Sequence, residues 1–244
     1  MRIVFLGSGD AFGSGGRFQT CMLVETTATR FLIDCGASSL IAMKRLGISP
    51  NGIETIIISH LHGDHFGGLP FLILDAQFFS KRSDPLTVAG PPGLRDRLTA
   101  ATEVLFPGSS KTAHAFELRA IELEPGRPTE LPGLLVTPHV VDHACGAPPF
   151  ALRIEAEGRV LAYSGDTQWT DALVEAARSA DLFICEAYSF DQKIKFHLDL
   201  VSLERRLDEI RPKRLILTHM GPGMLARLAE IRHETAEDGK TIEL

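Results

Sequence analysis

The sequence predicts an α/β protein with four layers, in which two mixed β-sheets pack face to face and helices cover their outer sides. Two observations support this fold class. Apolar, strand-like runs alternate with helical patterns along most of the chain, which is typical of sheets flanked by helices. Two pairs of such runs are separated by only a few residues, as in β-hairpins, so the sheets are not purely parallel.

The predicted elements follow one another along the whole chain. The segments CMLVETTATRFLID and FALRIEAEGRVLAYSG each contain two strands joined by a tight turn, and the second segment turns at Glu157-Gly158. Strands are predicted over 2–6, 21–25, 30–34, 54–58, 86–89, 116–123, 134–139, 150–156, 159–163, 182–185, 214–218 and 241–244. Helices are predicted over 37–46, 68–79, 92–105, 170–180, 199–210 and 222–232.

No linker, charge block or repeat divides the chain, so we expect one domain over residues 1–244. Each half begins with hairpin strands and continues into strand–helix alternation. This pattern predicts two pseudo-equivalent halves with a seam near 110–130. The length of 244 residues and a hydrophobic fraction of 44% are sufficient for a large core.

Composition narrows the classes of function. The chain has 31 acidic and 25 basic residues and no cluster of five Lys or Arg, which disfavours tight, non-specific nucleic-acid binding. Four scattered cysteines without a Cys-x-x-Cys pair form neither a zinc knuckle nor a compact disulfide framework. The first apolar run is too short for a signal peptide, and no stretch approaches a membrane span. We therefore expect a cytoplasmic protein that does not associate with membranes.

The first strand leads into a glycine-rich loop, LGSGDAFGSGGRFQT. A dinucleotide-binding fingerprint would need a glycine where Phe12 stands and a helix directly after the loop, and the sequence offers neither. A turn between two strands is therefore favoured over a nucleotide-binding loop.

The segment TIIISHLHGDHFGGL carries metal-binding chemistry. A strand-like run ends at Ser59 and is followed at once by His60, His62, Asp64 and His65. Buried imidazoles and carboxylates need partners, so this density favours a metal site over an ordinary core or loop. The ligands are nitrogen and oxygen, which suits zinc, with manganese or iron as alternatives. Further candidates follow three later apolar runs, namely His139 or His143, Asp166, and His219.

The ordered set His-x-His-x-Asp-His, His, Gly-Asp and Thr-His resembles the metallo-β-lactamase superfamily, and Asp34 in RFLIDCG matches its early aspartate. The resemblance runs from Asp34 to His219 and implies an αββα sandwich with two divalent metal ions at one sheet edge. His143 is preferred to His139 because Asp-His followed by a hairpin resembles the phosphodiesterase branch. The resemblance implies His60, His62 and His143 at the first metal, Asp64, His65 and His219 at the second, Asp166 bridging, and Asp34 orienting a ligand imidazole.

A second resemblance concerns the reaction. Glu186, at a strand end, and His197, before a helix, resemble the Glu–His pair of ribonuclease Z-like phosphodiesterases. In that pair the carboxylate orients a histidine that protonates the leaving oxygen. With Asp64, this pair completes the implied catalytic set. The opening loop also resembles the start of such chains, which suggests that Arg17 pairs with a substrate phosphate.

Ribonuclease Z carries a long tRNA-binding arm between the third-motif histidine and the bridging aspartate. Here His143 and Asp166 are only 23 residues apart, and a hairpin fills the interval. The sequence therefore predicts a phosphodiesterase for a small or cyclic, nucleotide-like phosphodiester, cleaved by attack of a bridging hydroxide. Structured RNA is disfavoured as a partner, and the superfamily allows a homodimer.

Three other functions remain open on the same metal ligands. The first is hydrolysis of a carbon ester by a lactonase or thioesterase. The second is RNA cleavage of the ribonuclease Z kind, and the third is a metal-binding accessory role without turnover. The residues of the metal site are shared by all four functions and do not separate them.

Overall fold

Two seven-stranded β-sheets form the centre of the protein and confirm the predicted fold class. The computed structural model describes residues 1–244. In spatial order the first sheet is β14-β1-β2-β3-β4-β5-β6 and the second is β13-β12-β11-β10-β9-β8-β7. The strands of the first sheet are β1 (Arg2–Gly7), β2 (Cys21–Glu25), β3 (Arg30–Ile33), β4 (Thr55–Ile57), β5 (Leu86–Gly90), β6 (Leu118–Glu122) and β14 (Thr241–Glu243). Those of the second are β7 (Thr129–Leu131), β8 (Leu134–Val140), β9 (Phe150–Ala156), β10 (Arg159–Tyr163), β11 (Leu182–Glu186), β12 (Leu215–Thr218) and β13 (Glu234–Thr235).

The helices are short and lie on the outer sides of the sheets. They are α1 (Ser39–Arg45), α2 (Gly63–Phe66), α3 (Leu69–Leu74), α4 (Leu94–Leu105), α5 (Ala172–Ala177), α6 (Leu200–Glu204), α7 (Leu207–Ile210) and α8 (Pro222–Leu225). None of them has the length and the apolar composition needed to cross a membrane.

Both sheets are mixed. The two predicted hairpins are present, with Met22 of β2 opposite Ile33 of β3 and Ala156 of β9 opposite Arg159 of β10. Strands β3 to β6 run parallel to one another, as do β10 to β13. The chain passes from the first sheet to the second between β6 and β7, and only β14 returns to the first.

Strand β1 shows why the apolar runs are continuous. Ile3 and Phe5 lie in the core between the two sheets, whereas Val4 and Leu6 lie in a second core under helices α1 and α3. Successive side chains of a strand point to opposite faces, so a sheet covered on both sides needs apolar residues at every position. A third core lies under α5 and α6, outside the second sheet.

Several element boundaries differ from the prediction. The helix predicted over 199–210 is interrupted at Arg206, whose φ of −122° is not helical, so α6 and α7 are separate. The helix predicted over 68–79 ends its regular part at Leu74 and continues as a wider π-type turn over Asp75–Phe79. Strands β7 and β13 have only three and two residues, too few to show a period in the sequence.

The carboxyl ends of the parallel strands lie at one edge of the protein. Residues that follow strands of both sheets meet at this edge. The predicted site residues lie at these strand ends or within three residues of them. His60 lies after β4, His143 after β8, Asp166 after β10, Glu186 at the end of β11 and His219 after β12.

Candidate active site

The side chains predicted as metal ligands converge at this edge in two adjacent groups. Each group has ligand atoms that all lie within 4.8 Å of one another. The first consists of His60, His62 and His143, and the second of Asp64, His65, Asp166 and His219. Most of these residues are buried. The two groups together contain every side chain that the sequence analysis placed at the two metals.

The histidine segment is shaped by a short helix that the sequence analysis did not predict. The carbonyl of His62 accepts hydrogen bonds from the N–H groups of His65 and Phe66, both at 3.0 Å, which begins helix α2. After this turn the chain passes very close to the Asp34 segment. A Cβ at Gly68 would lie 2.3 Å from the carbonyl oxygen of Gly36, so only glycine fits there. This close approach brings Asp34 beside the histidines.

The buried polar atoms of the cluster fit metal ions better than they fit one another. His143 Nε2 faces His62 Nδ1 at 3.0 Å, and His65 Nε2 faces His219 Nε2 at 3.4 Å. His60 Nε2 and Asp166 Oδ1 are buried without a hydrogen-bond partner. Burial of a polar atom without a partner is costly, and nitrogen and carboxylate oxygen are the donors that divalent metals such as zinc prefer. The donor set therefore fits a di-metal site.

The protonation of His60 also suits a ligand. Burial and the neighbouring His65 lower the pKa of His60, so that its ring stays neutral. A neutral imidazole is the form that binds a metal ion.

Asp34 fixes the orientation of His65. Its Oδ2 accepts a hydrogen bond from His65 Nδ1 at 2.7 Å, which leaves Nε2 facing the cluster. The backbone N–H of Ser59 donates to Asp34 Oδ1 at 2.7 Å, and the Ser59 hydroxyl donates to Oδ2 at 2.8 Å. Asp34 has a φ of 58°, a left-handed conformation that Asp and Asn tolerate better than most residues.

Replacing Asp34 by asparagine is expected to weaken metal binding about 10- to 100-fold, because the His65 ring loses its charged acceptor. Asparagine also tolerates the left-handed backbone, so the fold should be retained. Metal affinity would be measured by titration against a competing chelator. Asp75→Asn removes another buried carboxylate, one that pairs with Lys44, and should leave the affinity unchanged. Equal affinities in wild type and Asp34→Asn would contradict the orienting role.

His143 is oriented by a backbone group instead of a carboxylate. Its Nδ1 donates to the carbonyl of Phe196 at 2.9 Å, which turns Nε2 toward His62. Phe196 has a φ of 69°, and its N–H donates to Gln168 Oε1 at 3.2 Å. Because Phe196 acts through its backbone, no residue-type signal in the sequence could have revealed this contact.

Glu186 and His197 form the pair predicted from the sequence. His197 Nδ1 lies 3.0 Å from Glu186 Oε2, and the Thr167 N–H donates to Glu186 Oε1. Burial and the Asp166 carboxylate raise the pKa of Glu186 to about 7, against the lowering effect of His197. Burial lowers the pKa of His197, but the Glu186 hydrogen bond and charge raise it above its ordinary value. Glu186 therefore favours the protonated form of the His197 ring.

A cavity of about 340 Å³ lies at the sheet edge, beside the two ligand groups and His197. His197 lies on its wall, and because Nδ1 is bonded to Glu186, Nε2 is its free ring nitrogen. The sequence analysis missed the apolar part of the wall, which includes Phe12, Tyr188 and Ile194. The remaining lining residues are Ala11, His62, Asp64, His143, Asp166 and His219.

Two sequence candidates lie outside this cavity. Arg17, predicted to pair with a substrate phosphate, donates to the carbonyl of Ala236 at 2.6 Å and to Ser8 Oγ at 3.3 Å. Its guanidinium therefore joins the opening loop to the C-terminal segment. His139, the alternative to His143, lies 3.5 Å from Glu175 and belongs to neither ligand group.

Comparisons with known proteins identify the family of the chain. A sequence model of the family described as "Anti-Pycsar protein Apyc1" matches residues 1–237. The chain is 28% identical to ribonuclease Z of Anoxybacillus flavithermus over 300 aligned positions, covering 99% of this chain and 93% of the relative. The short form of human tRNase Z has a TM-score of 0.82 and 26% identity, covering 100% of this chain and 99% of the human one. A diphosphatase of the PhnP family shares the fold, with a TM-score of 0.79, 18% identity, and coverage of 100% and 97%.

The alignment with the Anoxybacillus enzyme is longer than the chain itself, which has 244 residues. The relative therefore contains insertions that this chain lacks. In this structure only the β9–β10 hairpin lies in the interval between His143 and Asp166.

Proposed function

Because this chain belongs to the family described as Anti-Pycsar protein Apyc1, and to the ribonuclease Z-like hydrolases of the metallo-β-lactamase superfamily, we propose that it is a phosphodiesterase for a small or cyclic, nucleotide-like phosphodiester. It is a metal-dependent hydrolase. The proposal concerns the bond that is cleaved and the residues that cleave it.

The two ligand groups divide the metal site. In the proposal His60, His62 and His143 hold one ion, Asp64, His65 and His219 hold the other, and Asp166 lies between them. Zinc is proposed for both positions because the ligands are imidazoles and carboxylates. Two such ions, when bound, supply an activated water and neutralise the charge on the phosphoryl oxygens.

The observation that carries the proposal is the pair formed by buried Glu186 and by His197, which lies on the cavity wall. A ribose or alkyl oxygen leaves poorly from phosphorus unless it is protonated as the bond breaks. Glu186 holds His197 by Nδ1 at 3.0 Å and favours the protonated ring, so Nε2–H is placed to give its proton to that oxygen. After Nε2 has given up its proton, the hydrogen bond to Glu186 keeps the remaining ring proton on Nδ1.

The cavity volume and the net charge of the chain support a small substrate. A cavity of about 340 Å³ suits a small molecule, and the net charge of −6 offers little attraction for a polyphosphate backbone. Cleavage of RNA is the second candidate, which the names of the ribonuclease Z relatives support. The Anoxybacillus ribonuclease Z has insertions that this chain lacks, and this difference favours the small substrate.

A substrate panel tests the proposal. Purified protein with quantified metal content would be assayed on 2′,3′-cyclic nucleotides, bis(p-nitrophenyl) phosphate, a precursor tRNA and a set of lactones and thioesters. We expect turnover of the cyclic and aryl diesters, and little or none of the others. Lactone or thioester turnover without diester cleavage would overturn the proposal in favour of a carbon-ester hydrolase. Two bound metals without turnover of any substrate would favour the accessory role.

A further inference from the structure

The most exposed large apolar side chain of the protein stands at the mouth of the active-site cavity. Phe12 is 85% exposed, and it lines the cavity together with the groups of the metal cluster. Exposing an aromatic ring to water forgoes the stabilisation that its burial would provide. The ring is therefore poorly explained by packing within the protein.

The backbone around Phe12 is held firmly. Asp10 is fully buried, and its carboxylate accepts hydrogen bonds from the N–H of Phe12 at 3.2 Å, the N–H of Ser14 at 2.9 Å and the Ser14 hydroxyl at 2.6 Å. A Cβ on Gly15 would lie 2.9 Å from Leu225 Cδ1, so the far side of the loop packs against helix α8. The loop thus presents an exposed ring from a fixed backbone, which lowers the entropy cost of binding to it.

The other aromatic side chain of the cavity is already engaged. The Tyr188 ring lies 4.7 Å from the His197 ring and 6.2 Å from the His219 ring, so it packs over the catalytic histidines. Phe12 is the ring that remains free to receive a ligand. Flat aromatic groups such as nucleobases stack on such rings without a need for specific hydrogen bonds.

We propose that Phe12 determines specificity by stacking on a planar aromatic group of the phosphodiester substrate. The inference rests on the proposed function, because it concerns the same cavity. It makes Phe12 a binding residue that acts on affinity and leaves the bond-breaking step to the metal site and His197. The preference it creates is for diesters with a flat ring and against diesters that carry only sugar or alkyl groups.

The test compares two substrates with the same cyclic phosphate. One is 2′,3′-cyclic AMP and the other is methyl riboside 2′,3′-cyclic phosphate, which lacks the base. Phe12→Ala is expected to raise KM for the cyclic nucleotide about 5- to 30-fold, the lower part of the range for base–aromatic stacking, because the ring is open to solvent. Its kcat should stay close to wild type, and KM for the base-free substrate should not change.

Two further variants separate stacking from bulk. Phe12→Trp keeps a flat ring and should return KM for the nucleotide to within about twofold of wild type. Phe12→Leu keeps apolar bulk without a flat face and should resemble Phe12→Ala. Cleavage of both substrates with KM unchanged, or raised equally, in Phe12→Ala overturns the inference and leaves the proposed function standing. No cleavage of either substrate by the metal-loaded wild type overturns both.

Discussion

Replacing Asp166 by asparagine is expected to lower kcat/KM for a cyclic phosphodiester by at least about 1,000-fold, which corresponds to about 4 kcal/mol of lost transition-state stabilisation. Asp166 belongs to the second ligand group and also lies close to His60 of the first. Its carboxylate lies 3.3 Å from His65 Nε2, 3.4 Å from His219 Nε2 and 3.9 Å from His60 Nε2. Asparagine has nearly the same shape but no charge, so it cannot hold two cations together.

The effect on metal content distinguishes this prediction from simple misfolding. We expect Asp166→Asn to retain at most one metal per chain by elemental analysis, with an unchanged circular dichroism spectrum. Saturating zinc should raise the melting temperature of the wild type, since a ligand at 100 times its Kd adds about 2.7 kcal/mol to stability. The variant should show a smaller rise.

Asp181→Asn is the matched control for this experiment. Asp181 immediately precedes β11, at the opposite end of the strand from Glu186, where it pairs with Lys213 and Arg159. The Asp181→Asn variant should keep both metals and full activity. An Asp166→Asn protein with two metals and wild-type turnover would show that this carboxylate does not bridge.

Replacing His197 by alanine is expected to slow the cleavage of diesters with a sugar or alkyl leaving group by about 10²- to 10⁴-fold in kcat. The effect should be only a few-fold on bis(p-nitrophenyl) phosphate, because p-nitrophenolate is stabilised by resonance and leaves without a proton. This dependence on the leaving group is the signature of a general acid. A residue that only shaped the cavity would slow both substrates alike.

The surface offers a matched control in His233, which lies 3.0 Å from Glu204 outside the cavity. His233→Ala should leave both substrates unaffected. Metal content of His197→Ala must also be measured, because His197 lies close to His143 and Asp166. Equal losses on both substrates with intact metal content would refute the general-acid role.

The pH profile gives a second readout of the same pair. Burial lowers the pKa of His197, but Glu186 raises it beyond its ordinary value, so the acid form persists to higher pH. Activity that needs this acid is lost as the pH rises through the His197 pKa. Glu186→Gln removes the raising charge, so the alkaline limb of kcat/KM should move to lower pH.

The order of motifs predicted the edge of the fold at which the site forms through its resemblance to the metallo-β-lactamase superfamily. Asp166 and His219 each follow a strand of the second sheet, and parallel strands end on one side of a sheet, so these two residues were expected to lie close together. His60 follows a strand of the first sheet, and its place beside them was implied by the resemblance. The fold class was predictable because the hairpins and the strand–helix alternation leave few arrangements of layers.

The remaining features depend on contacts between distant parts of the chain. The Phe196 carbonyl that orients His143 leaves no trace in residue type. The same holds for the non-helical backbone of Arg206 that separates α6 from α7. Arg17 was the natural candidate for a phosphate contact, yet it is bonded to Ala236, which is 219 residues away. The exposure of Phe12 likewise becomes visible only once the rim of the cavity is formed.

The division of the ligands between the two sheets has a consequence for assembly. Each ligand group takes side chains from both sheets: His60 and His62 join His143, and Asp64 and His65 join Asp166 and His219. Ions held there would act as cross-links between segments that are far apart in the chain, as a disulfide does. Bound metal ions would then stabilise the packing of the two sheets against each other, in addition to forming the catalytic centre.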